Sequence, residues 1–358
     1  MNIALDAMGG DYGPGVIVES AVVAARQYQI TISLVGQEEK IRQELDNHNT
    51  AGLDIPIVPA NDVIGMDDKP ATSARSKTDS SIVVASRLVR TGQAQACVSA
   101  GSTGAAVAAG ILHIGRIKGI SRPALITRFP TYTNHCLLLD VGANPDARAE
   151  NLTQFAIMGS LYANYISGIA NPSVRILSNG EEEGKGNELV LEAYELLRTT
   201  PGINFQGNIE SKDVIGGLAD IVVTDGFTGN VFVKTAEATG SLVQKVLKQE
   251  FMRGPISMLG GLLATAGIRR VRGRLGDGQF GGAILLGLSG PVVVAHGRSD
   301  VEMMLNCIRI AKQAVETNLS EEIRQGVALA KTKSTLKMAE PSSTNRQPKS
   351  AHAEAVPA

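Results

Sequence analysis

The stretch that decides the fold class is Asn2-Ile3-Ala4-Leu5-Asp6-Ala7-Met8-Gly9-Gly10-Asp11. Residues 2–5 have a strand pattern and run directly into a carboxylate, a diglycine and a second carboxylate. Open α/β sheets build ligand sites in this way, because glycine after a strand lets backbone N–H groups come close to a bound molecule. The same pattern is also typical of an ordinary strand-to-helix turn. Apolar residues with helical spacing follow, at Val16, Ile17, Ala21, Val22 and Ala25.

The rest of the chain alternates between strand and helix patterns. This alternation predicts an α/β fold with a doubly wound, mostly parallel sheet and helices on both faces. Strands are predicted at 2–5, 30–35, 55–58, 95–99, 124–127, 136–141, 174–177, 203–205, 221–223, 283–286 and 292–295. Helices are predicted at 38–45, 81–89, 102–113, 149–166 and 300–317.

Two segments depart from this alternation. Residues 231–275 carry no strand pattern, and we predict a helical, amphipathic insertion there, with its first helix over 231–251. Residues 333–358 are rich in Pro, Ser, Thr, Ala and Lys and have too little apolar content to fold, so we predict a disordered tail. The α/β domain is therefore expected to span residues 1–332.

Composition excludes several classes of protein. The 39 glycines make up about 11% of the chain against about 7% on average, aromatic residues are scarce, and the net charge is −1. These values argue against a nucleic-acid-binding protein. The three cysteines, Cys97, Cys136 and Cys307, show no CxxC spacing, so we expect neither zinc nor disulfides. Without a signal peptide or an 18-residue apolar span, we expect a cytoplasmic protein, at most peripheral on a membrane.

Five further strands end in small, hydroxyl, amide and acidic residues where a helix could begin. Free N–H groups at helix N-termini bind phosphate and other anions. Ser102 or Thr103 could equally serve as an ordinary helix cap. We expect these turns to meet at one edge of the sheet and to form a polar pocket for an anion. The turns are SAGSTG at 99–104, DVGAN at 140–144, SNGEEEGKGN at 178–187, GNIE at 207–210 and TDGFTGN at 224–230.

Other catalytic chemistries find no support in the sequence. No GxGxxG follows a strand, and residues 180–185 are one residue short of a Walker loop, with Gly186 in place of its hydroxyl residue. The GxSxG and HExxH motifs are absent, and the five histidines are scattered. We therefore expect no metal and no cofactor, and direct attack by an external nucleophile that backbone dipoles position.

The bacterial phosphate acyltransferase family, PlsX, resembles this chain in six motifs: DAMGGD at Asp6, SAGSTGA at Ser99, DVGAN at Asp140, SNGEEEGKGN at Ser178, GNIE at Gly207 and VVTDGFTGN at Val222. The resemblance spans about residues 1–330. It implies transfer of a fatty acyl group from acyl carrier protein to inorganic phosphate, and a product used by a membrane glycerol-phosphate acyltransferase in phospholipid synthesis. It also implies a homodimer with a fold like that of isocitrate and isopropylmalate dehydrogenases, related to phosphotransacetylase.

The anion pocket and the implied reaction together give the candidate site residues. We expect Asp6 and Asp11 to organise the turn at Gly9 and Gly10, because a carboxylate facing phosphate would repel it. Lys185 is expected to be the cation for phosphate, although it could instead be a solvated lysine beside Glu181, Glu182 and Glu183. The substrate-binding candidates are Asp6, Gly9, Gly10, Ser99, Gly101, Ser102, Thr103, Gly104 and Asn144. The catalytic candidates are Lys185, Asn179, Asn208, Asp225 and Asn230.

The insertion has a composition of its own. Its apolar segment, residues 256–268, is too short to span a bilayer. Residues 245–274 contain seven basic residues and a single acidic one, Glu250. This composition is typical of an interfacial membrane anchor. The same surface could instead dock acidic acyl carrier protein or pack against its mate in a dimer. The candidate contact residues are Leu259, Leu262, Leu263, Arg269, Arg270 and Arg272.

Three alternative functions stay open at this stage. A phosphotransacetylase acting on acyl-CoA would have the same fold and chemistry. A metal- and NAD-dependent hydroxyacid dehydrogenase would need clustered aspartates and a cofactor-selecting segment, and we find neither in the sequence. A non-enzymatic scaffold that recruits lipid-synthesis enzymes to the membrane is the third.

Overall fold

An eleven-stranded sheet forms the centre of the protein. The computed structural model describes residues 1–275 and 282–339. The strands are β1 (Asn2–Asp6), β2 (Thr31–Gly36), β3 (Ile57–Pro59), β4 (Ala96–Ser99), β5 (Ala124–Pro130), β6 (His135–Leu139), β7 (Ser173–Leu177), β8 (Asn204–Ile209), β9 (Ile221–Val223), β10 (Ala283–Leu286) and β11 (Val292–Val294).

Helices cover both faces of this sheet. They are α1 (Gly15–Tyr28), α2 (Glu38–Leu45), α3 (Pro70–Ser76), α4 (Ser81–Arg90), α5 (Thr103–Ala109), α6 (Ala149–Ser167), α7 (Glu188–Thr199), α8 (Ser211–Gly216), α9 (Gly226–Phe251), α10 (Pro255–Leu275), α12 (Val301–Glu316) and α13 (Leu319–Ala339). A wider, π-helical turn, Gly110–Ile114, continues α5 and is labelled α11.

The sheet consists of two parallel halves that run in opposite directions. Its strand order is β3-β2-β1-β4-β11-β10-β5-β6-β9-β7-β8. Strands β3, β2, β1, β4 and β11 are parallel to one another, and so are β6, β9, β7 and β8. Between the halves, β10 and β5 pair antiparallel with their neighbours. The carboxyl ends of β1, β4 and β11 therefore lie at one edge, here called the first edge, and those of β6, β9, β7 and β8 lie at the opposite, second edge.

The two faces of the sheet are covered differently. One face carries a continuous apolar core that includes Ile126 and residues of α1, α6, α12 and α13. On the other face, Leu125 belongs to a cluster with α3, α4 and α5, whereas Phe129 belongs to a separate cluster with α8. Leu125 and Phe129 point to the same side of β5, because side chains alternate along a strand. Thr127, between them, is only half-buried. A cleft therefore separates the α5 layer from the α9 layer.

The fold class and most elements agree with the sequence prediction. Every predicted strand and helix is present, with shifted ends, and the mostly parallel α/β sheet is confirmed. Helices α3, α7, α8 and α13 were not predicted from the sequence pattern. The strand predicted at 203–205 is longer, because β8 continues to Ile209 and carries Asn208 within the sheet.

The insertion is a helical hairpin that extends away from the body. Its first helix begins at Gly226, five residues before the predicted start, because Asp225 caps it. Rings of Phe129 and Phe232, 4.9 Å apart at their centroids, fix the start of α9 on the sheet. Beyond residue 240, nearly every described side chain of the hairpin is exposed. No helix in the described residues has the length and apolar character that crossing a membrane requires.

The predicted tail begins too early. Helix α13 continues through Ala339, so residues 333–339 are helical, and residues 340–358 lie outside the described part of the chain. Leu319, Ile323 and Val327 are buried at intervals of four residues and anchor the helix on the core. Propagation adds one hydrogen bond per residue and is easier than nucleation. The helix therefore extends beyond the turn at Val327, into a segment whose composition alone favours disorder.

Candidate active site

Asp6 organises the first edge of the sheet. Its carboxylate is 3% exposed and accepts hydrogen bonds from Ser99 Oγ at 2.6 Å and from the Met8 N–H at 3.2 Å. Burial raises the pKa of Asp6, and hydrogen bonds from Ser81 and Ser99 oppose that rise. Ser81 was not among the predicted site residues; the serine pair at the start of α4 was the signal for it. Asp6 thus holds the turn after β1 through these hydrogen bonds, and its predicted place among the substrate-binding residues stays a prediction.

Gly9 and Gly10 serve close packing between loops. A Cβ on Gly9 would lie 2.6 Å from the Gly101 backbone nitrogen. Gly10 has φ +86° and lies against Ala100 and the Gly297 carbonyl, so a side chain there would be both strained and crowded. The glycines bring the loops after β1, β4 and β11 into contact. That backbone N–H groups approach a ligand at these glycines stays a prediction.

The start of α5 offers polar groups that the protein itself does not use. Ser99 Oγ accepts the Gly101 N–H at 3.0 Å, which fixes the loop before the helix. Ser102 lies at the N-cap position, yet its side chain makes no capping hydrogen bond. Ser102, Thr103 and Gly104 are half-buried, and within the described residues neither hydroxyl has a protein partner. The first N–H groups of a helix also lack partners inside the helix. These groups are available to a ligand.

At the second edge, Asp140 and Asn144 form a closed cluster. Asp140 has no exposed surface and accepts hydrogen bonds from Leu125, Gly142, Ala143 and Asn144 N–H groups and from Asn144 Nδ2. Burial raises the pKa of Asp140, and these hydrogen bonds oppose the rise. Asn144 Nδ2 also donates to the Pro123 carbonyl at 2.7 Å. Both amide hydrogens of Asn144 are therefore engaged, and its binding role stays a prediction.

Asp225 is the N-cap of α9. Its carboxylate accepts the N–H groups of Phe227 and Thr228 and the Thr228 hydroxyl. This carboxylate occupies the helix N-terminus, so that end of α9 is closed to an anion. Asn230, one turn further, is half-buried and faces Gly142, where an added Cβ would be 3.8 Å from the Asn230 side chain.

Asn208 fixes the loop that carries Lys185. Its side chain is 1% exposed, and Nδ2 donates to the backbone carbonyls of Glu182 at 2.7 Å and Lys185 at 3.3 Å. Lys185 is exposed and lies over Gly180. Within the described residues, Lys185 forms no ion pair, whereas Glu181 and Glu183 pair with Lys212 and Arg198. Asn179 is exposed in the same loop.

The expectation of one pocket shared by all these turns is wrong. Asp6, Ser99 and Ser102 lie at the first edge, and Asn144, Lys185 and Asp225 lie at the second edge. The strand direction reverses between the two groups, because β5 runs parallel to β11 and pairs antiparallel with β6. From β4 to β7 there are six strand spacings of about 4.8 Å, or about 29 Å. Ser102 and Lys185 of one chain therefore cannot contact the same phosphate.

The α9 layer also carries an open groove. Its volume is about 450 Å³, and it runs along α9 from Asn230 to Leu242. Val231, Ala238 and Leu242 give it an apolar lining, and Lys234 adds one positive charge. The groove starts at Asn230, beside the loop that follows β6.

Known proteins resemble the chain over nearly all of its length. The family described as "Fatty acid synthesis protein" matches residues 1–322. A phosphate acyltransferase of Heliobacterium modesticaldum is 48% identical over 328 residues, which are 91% of this chain and 98% of the relative. The chain belongs to the phosphate acyltransferase family. A second member, from Pelotomaculum thermopropionicum, is 47% identical over 91% of this chain and 95% of its own length. The expected membership in this family of transferases is confirmed.

Solved structures of other enzymes share the fold of this phosphate acyltransferase family member. A phosphotransacetylase from Streptococcus pyogenes superimposes with a TM-score of 0.59 at 19% identity, covering 92% of this chain and 94% of that structure. A 4-hydroxythreonine-4-phosphate dehydrogenase from Klebsiella pneumoniae superimposes with a TM-score of 0.51 at 13% identity, covering 88% of this chain and 99% of that structure. At such identities the likeness concerns the fold alone, and it agrees with the expected dehydrogenase-like α/β architecture.

One acidic cluster has the spacing of metal ligands. Carboxylate oxygens of Glu181, Glu210 and Asp213 lie within 4.8 Å of one another. The Lys212 ammonium is 2.5 Å from Glu210 and 3.7 Å from Glu181. A cation therefore already neutralises part of this cluster, and we assign no metal to it.

The apolar residues of the hairpin are strongly exposed. Leu259 is 58%, Leu262 71% and Leu263 78% exposed. Arg269 and Arg270 follow on the same helix and are exposed as well, while the side chain of Arg272 lies outside the described part of the chain. An exposed apolar patch of this kind marks an interaction surface.

Proposed function

We propose that the protein transfers a fatty acyl group from the thioester of acyl carrier protein to inorganic phosphate, giving an acyl phosphate and the free carrier thiol. Membership in the phosphate acyltransferase family supports the reaction type. The observation that carries the site is the set of uncommitted, half-buried polar groups at the start of α5.

The chemistry needs little from the protein beyond position and charge. A phosphate oxygen attacks the thioester carbonyl carbon, the C–O bond forms, the C–S bond breaks, and the thiolate leaves and takes up a proton. The intermediate carries an oxyanion beside a charged nucleophile. Fixed N–H and O–H donors stabilise such an oxyanion, and each donor contributes about 2.7–4 kcal/mol in comparable sites.

The start of α5 is our candidate for holding phosphate. Ser102 and Thr103 supply hydroxyl donors, and the N–H groups near Gly104 supply backbone donors. Asp6 and Ser99 do not touch the phosphate in this proposal. They hold the loop at Gly101, and thereby fix the direction in which α5 begins.

Lys185 enters this site only from a second subunit. It lies at the other edge of its own chain, so it can serve the same phosphate only if the protein is a homodimer whose subunits face each other across the cleft. A lysine ammonium is a compact charge suited to phosphate. Its exposure and its freedom from the neighbouring glutamates support this role.

The hairpin connects the reaction to the membrane in our proposal. Leu259, Leu262 and Leu263 insert into the interface, and each Lys or Arg that comes near the anionic headgroups contributes about 1 kcal/mol. A cytoplasmic enzyme held at the membrane in this way delivers its acyl phosphate to the membrane glycerol-phosphate acyltransferase that starts phospholipid synthesis.

The direct test is phosphate-dependent product formation by the purified protein. Acyl carrier protein thioester is incubated with and without radiolabelled phosphate, and labelled acyl phosphate and free carrier thiol are both quantified. We expect one acyl phosphate per carrier thiol released, and no enzyme-dependent thiol release without phosphate. Thioester loss that does not depend on phosphate would refute the proposal. A parallel reaction with acyl-CoA tests the alternative donor; faster turnover of acyl-CoA would favour a phosphotransacetylase.

A further inference from the structure

A long stretch of the chain carries only positive charge. Residues 80–139 contain no Asp or Glu, although the whole chain has 35 of them, and they contain Arg87, Arg90, Arg116, Lys118 and Arg122 on the surface. We call these five exposed residues the basic patch. A sixth, Arg128, is half-buried in β5 and is not part of it.

Contacts in the structure join the patch into one surface. Arg90 at the end of α4 donates to the Ile114 carbonyl at 3.0 Å, directly before Gly115 and Arg116. The Arg116 guanidinium in turn contacts the Ser121 carbonyl, next to Arg122. Arg87 lies one turn before Arg90 on the same helix. The five residues therefore follow one another from α4 across the loop 115–122.

The basic patch is not neutralised by the protein. Among the described residues, none of its five members forms an ion pair. On α2, α7, α8 and α12, by contrast, a basic residue pairs with a carboxylate on the same helix or directly before it. The first acidic residue after this stretch, Asp140, is fully buried; Asp146 and Glu150 are the next ones, and Arg148 stands between them. The patch therefore presents a net positive potential to solvent.

The patch borders one mouth of the cleft. Arg122 is followed by Pro123, whose carbonyl accepts Asn144 Nδ2, and by Leu125, whose N–H reaches Asp140. Residues Thr103–Ile114 then lead along the cleft from the candidate phosphate site to the patch. Twelve residues at 1.5 Å each span about 18 Å. A partner docked on the patch would thus need a long, thin extension to reach the phosphate.

We propose that the basic patch is the docking surface for the acidic carrier protein that brings the acyl thioester. This inference rests on the proposed function. An acidic protein complements the charge of the patch, and complementary charge sets orientation and the rate of encounter. A carrier protein holds its thioester at the end of a flexible prosthetic arm, which is the shape that the distance along α5 requires. The hairpin, with its apolar surface, is then left free for the membrane.

Charge reversal tests this inference. Lys118→Glu/Arg122→Glu is compared with Arg26→Glu/Lys40→Glu, two exposed residues of α1 and α2 whose reversal changes the net charge equally. For the patch variant we expect kcat/KM with the carrier-bound thioester to fall about tenfold, mainly through KM, relative to kcat/KM with a small acyl-pantetheine thioester. The difference should shrink at high salt, because the screening length falls from about 10 Å at 0.1 M to about 3 Å at 1 M. The control pair should stay within about twofold of the wild type.

Several results would overturn the inference. Equal losses in the two charge-reversed proteins would assign the effect to net charge. Equal losses with the carrier-bound and the small thioester would assign it to the cleft. Weaker flotation with anionic vesicles, without a change in KM for the carrier, would make the patch a lipid-binding surface. If the wild type forms no acyl phosphate from either thioester, the proposed function fails, and the docking inference fails with it.

Discussion

Ser99 Oγ donates a 2.6 Å hydrogen bond to Asp6 Oδ2, and this bond joins the ends of β4 and β1. The same oxygen of Ser99 accepts the Gly101 N–H. A buried carboxylate thus fixes the loop from which α5 begins. The candidate phosphate groups depend on this relationship, although neither Asp6 nor Ser99 needs to touch phosphate.

The raised pKa of Asp6 gives a signed pH dependence. A carboxyl whose pKa is higher in the folded than in the unfolded protein is protonated preferentially when folded, so stability falls as pH rises from about 4 through the raised pKa. Asp6→Asn removes this contribution. We expect the wild-type free energy of unfolding, minus that of Asp6→Asn, to decrease with rising pH in denaturation series. Asp11→Asn, at the surface, should leave the wild-type profile intact. A difference that increases with pH would contradict the account.

Gly9 should tolerate no side chain. A Cβ there would lie 2.6 Å from the Gly101 nitrogen, and backbone at both positions must shift to make room. We expect Gly9→Ala to lower the free energy of unfolding in urea by about 1–3 kcal/mol. Gly184→Ala is the matched control, because nothing lies within 4 Å of its added carbon, and it should stay within about 0.5 kcal/mol of the wild type. Equal stability of the two variants would show that the loops at the first edge are not tightly packed.

The hairpin should bind membranes through its apolar residues. Leu259→Glu/Leu263→Glu places charges on side chains that are 58% and 78% exposed, so the fold should persist while insertion becomes costly. We expect flotation with anionic vesicles to fall at least about tenfold. Leu329→Glu, on the exposed side of α13, controls for added charge. Wild-type flotation by the double variant would exclude the hairpin as the membrane contact.

Lys185 and Ser102 should complement each other between subunits. Ser102→Ala and Lys185→Ala are each expected to be poorly active as pure proteins. After subunit exchange, half of the dimers are mixed, and one of their two sites has both wild-type residues, so about a quarter of wild-type activity should return. Absence of recovery in dimers that demonstrably exchange would separate Lys185 from the phosphate site.

The sheet was accessible from the sequence because alternating apolar runs define strands locally. The relative direction of the two parallel halves was not predicted. It is set by the antiparallel pairing of β5 with β6, because the two antiparallel pairings of β10 cancel and leave β5 parallel to β11. The assumption of one common edge followed from treating all strands as parallel, and it failed at the β5–β6 pair.

The individual site residues were recognised by type, but their use depends on tertiary contacts. Asp225 and Asn208 have side chains that could bind a ligand, cap a helix or anchor a loop. In the structure Asp225 caps α9, and Asn208 anchors the loop that carries Lys185. Arg175 donates to the Asn208 carbonyl and supports this anchor, a contact that a lone arginine in an apolar strand does not indicate. The basic patch was overlooked for a different reason: its charges are spread over 36 residues and meet only after folding.

The measurement that tests the central claim most directly is the KM for phosphate of Ser102→Ala. In our account the Ser102 hydroxyl is a free donor to a bound dianion, and a hydrogen bond to a charged group contributes about 1.5–3 kcal/mol. We expect the KM for phosphate to rise at least about tenfold, with little change in the KM for the acyl donor, whereas Ser160→Ala, a half-buried serine on the opposite face, leaves both constants as they are. An unchanged KM for phosphate in Ser102→Ala would contradict the assignment of phosphate to the start of α5.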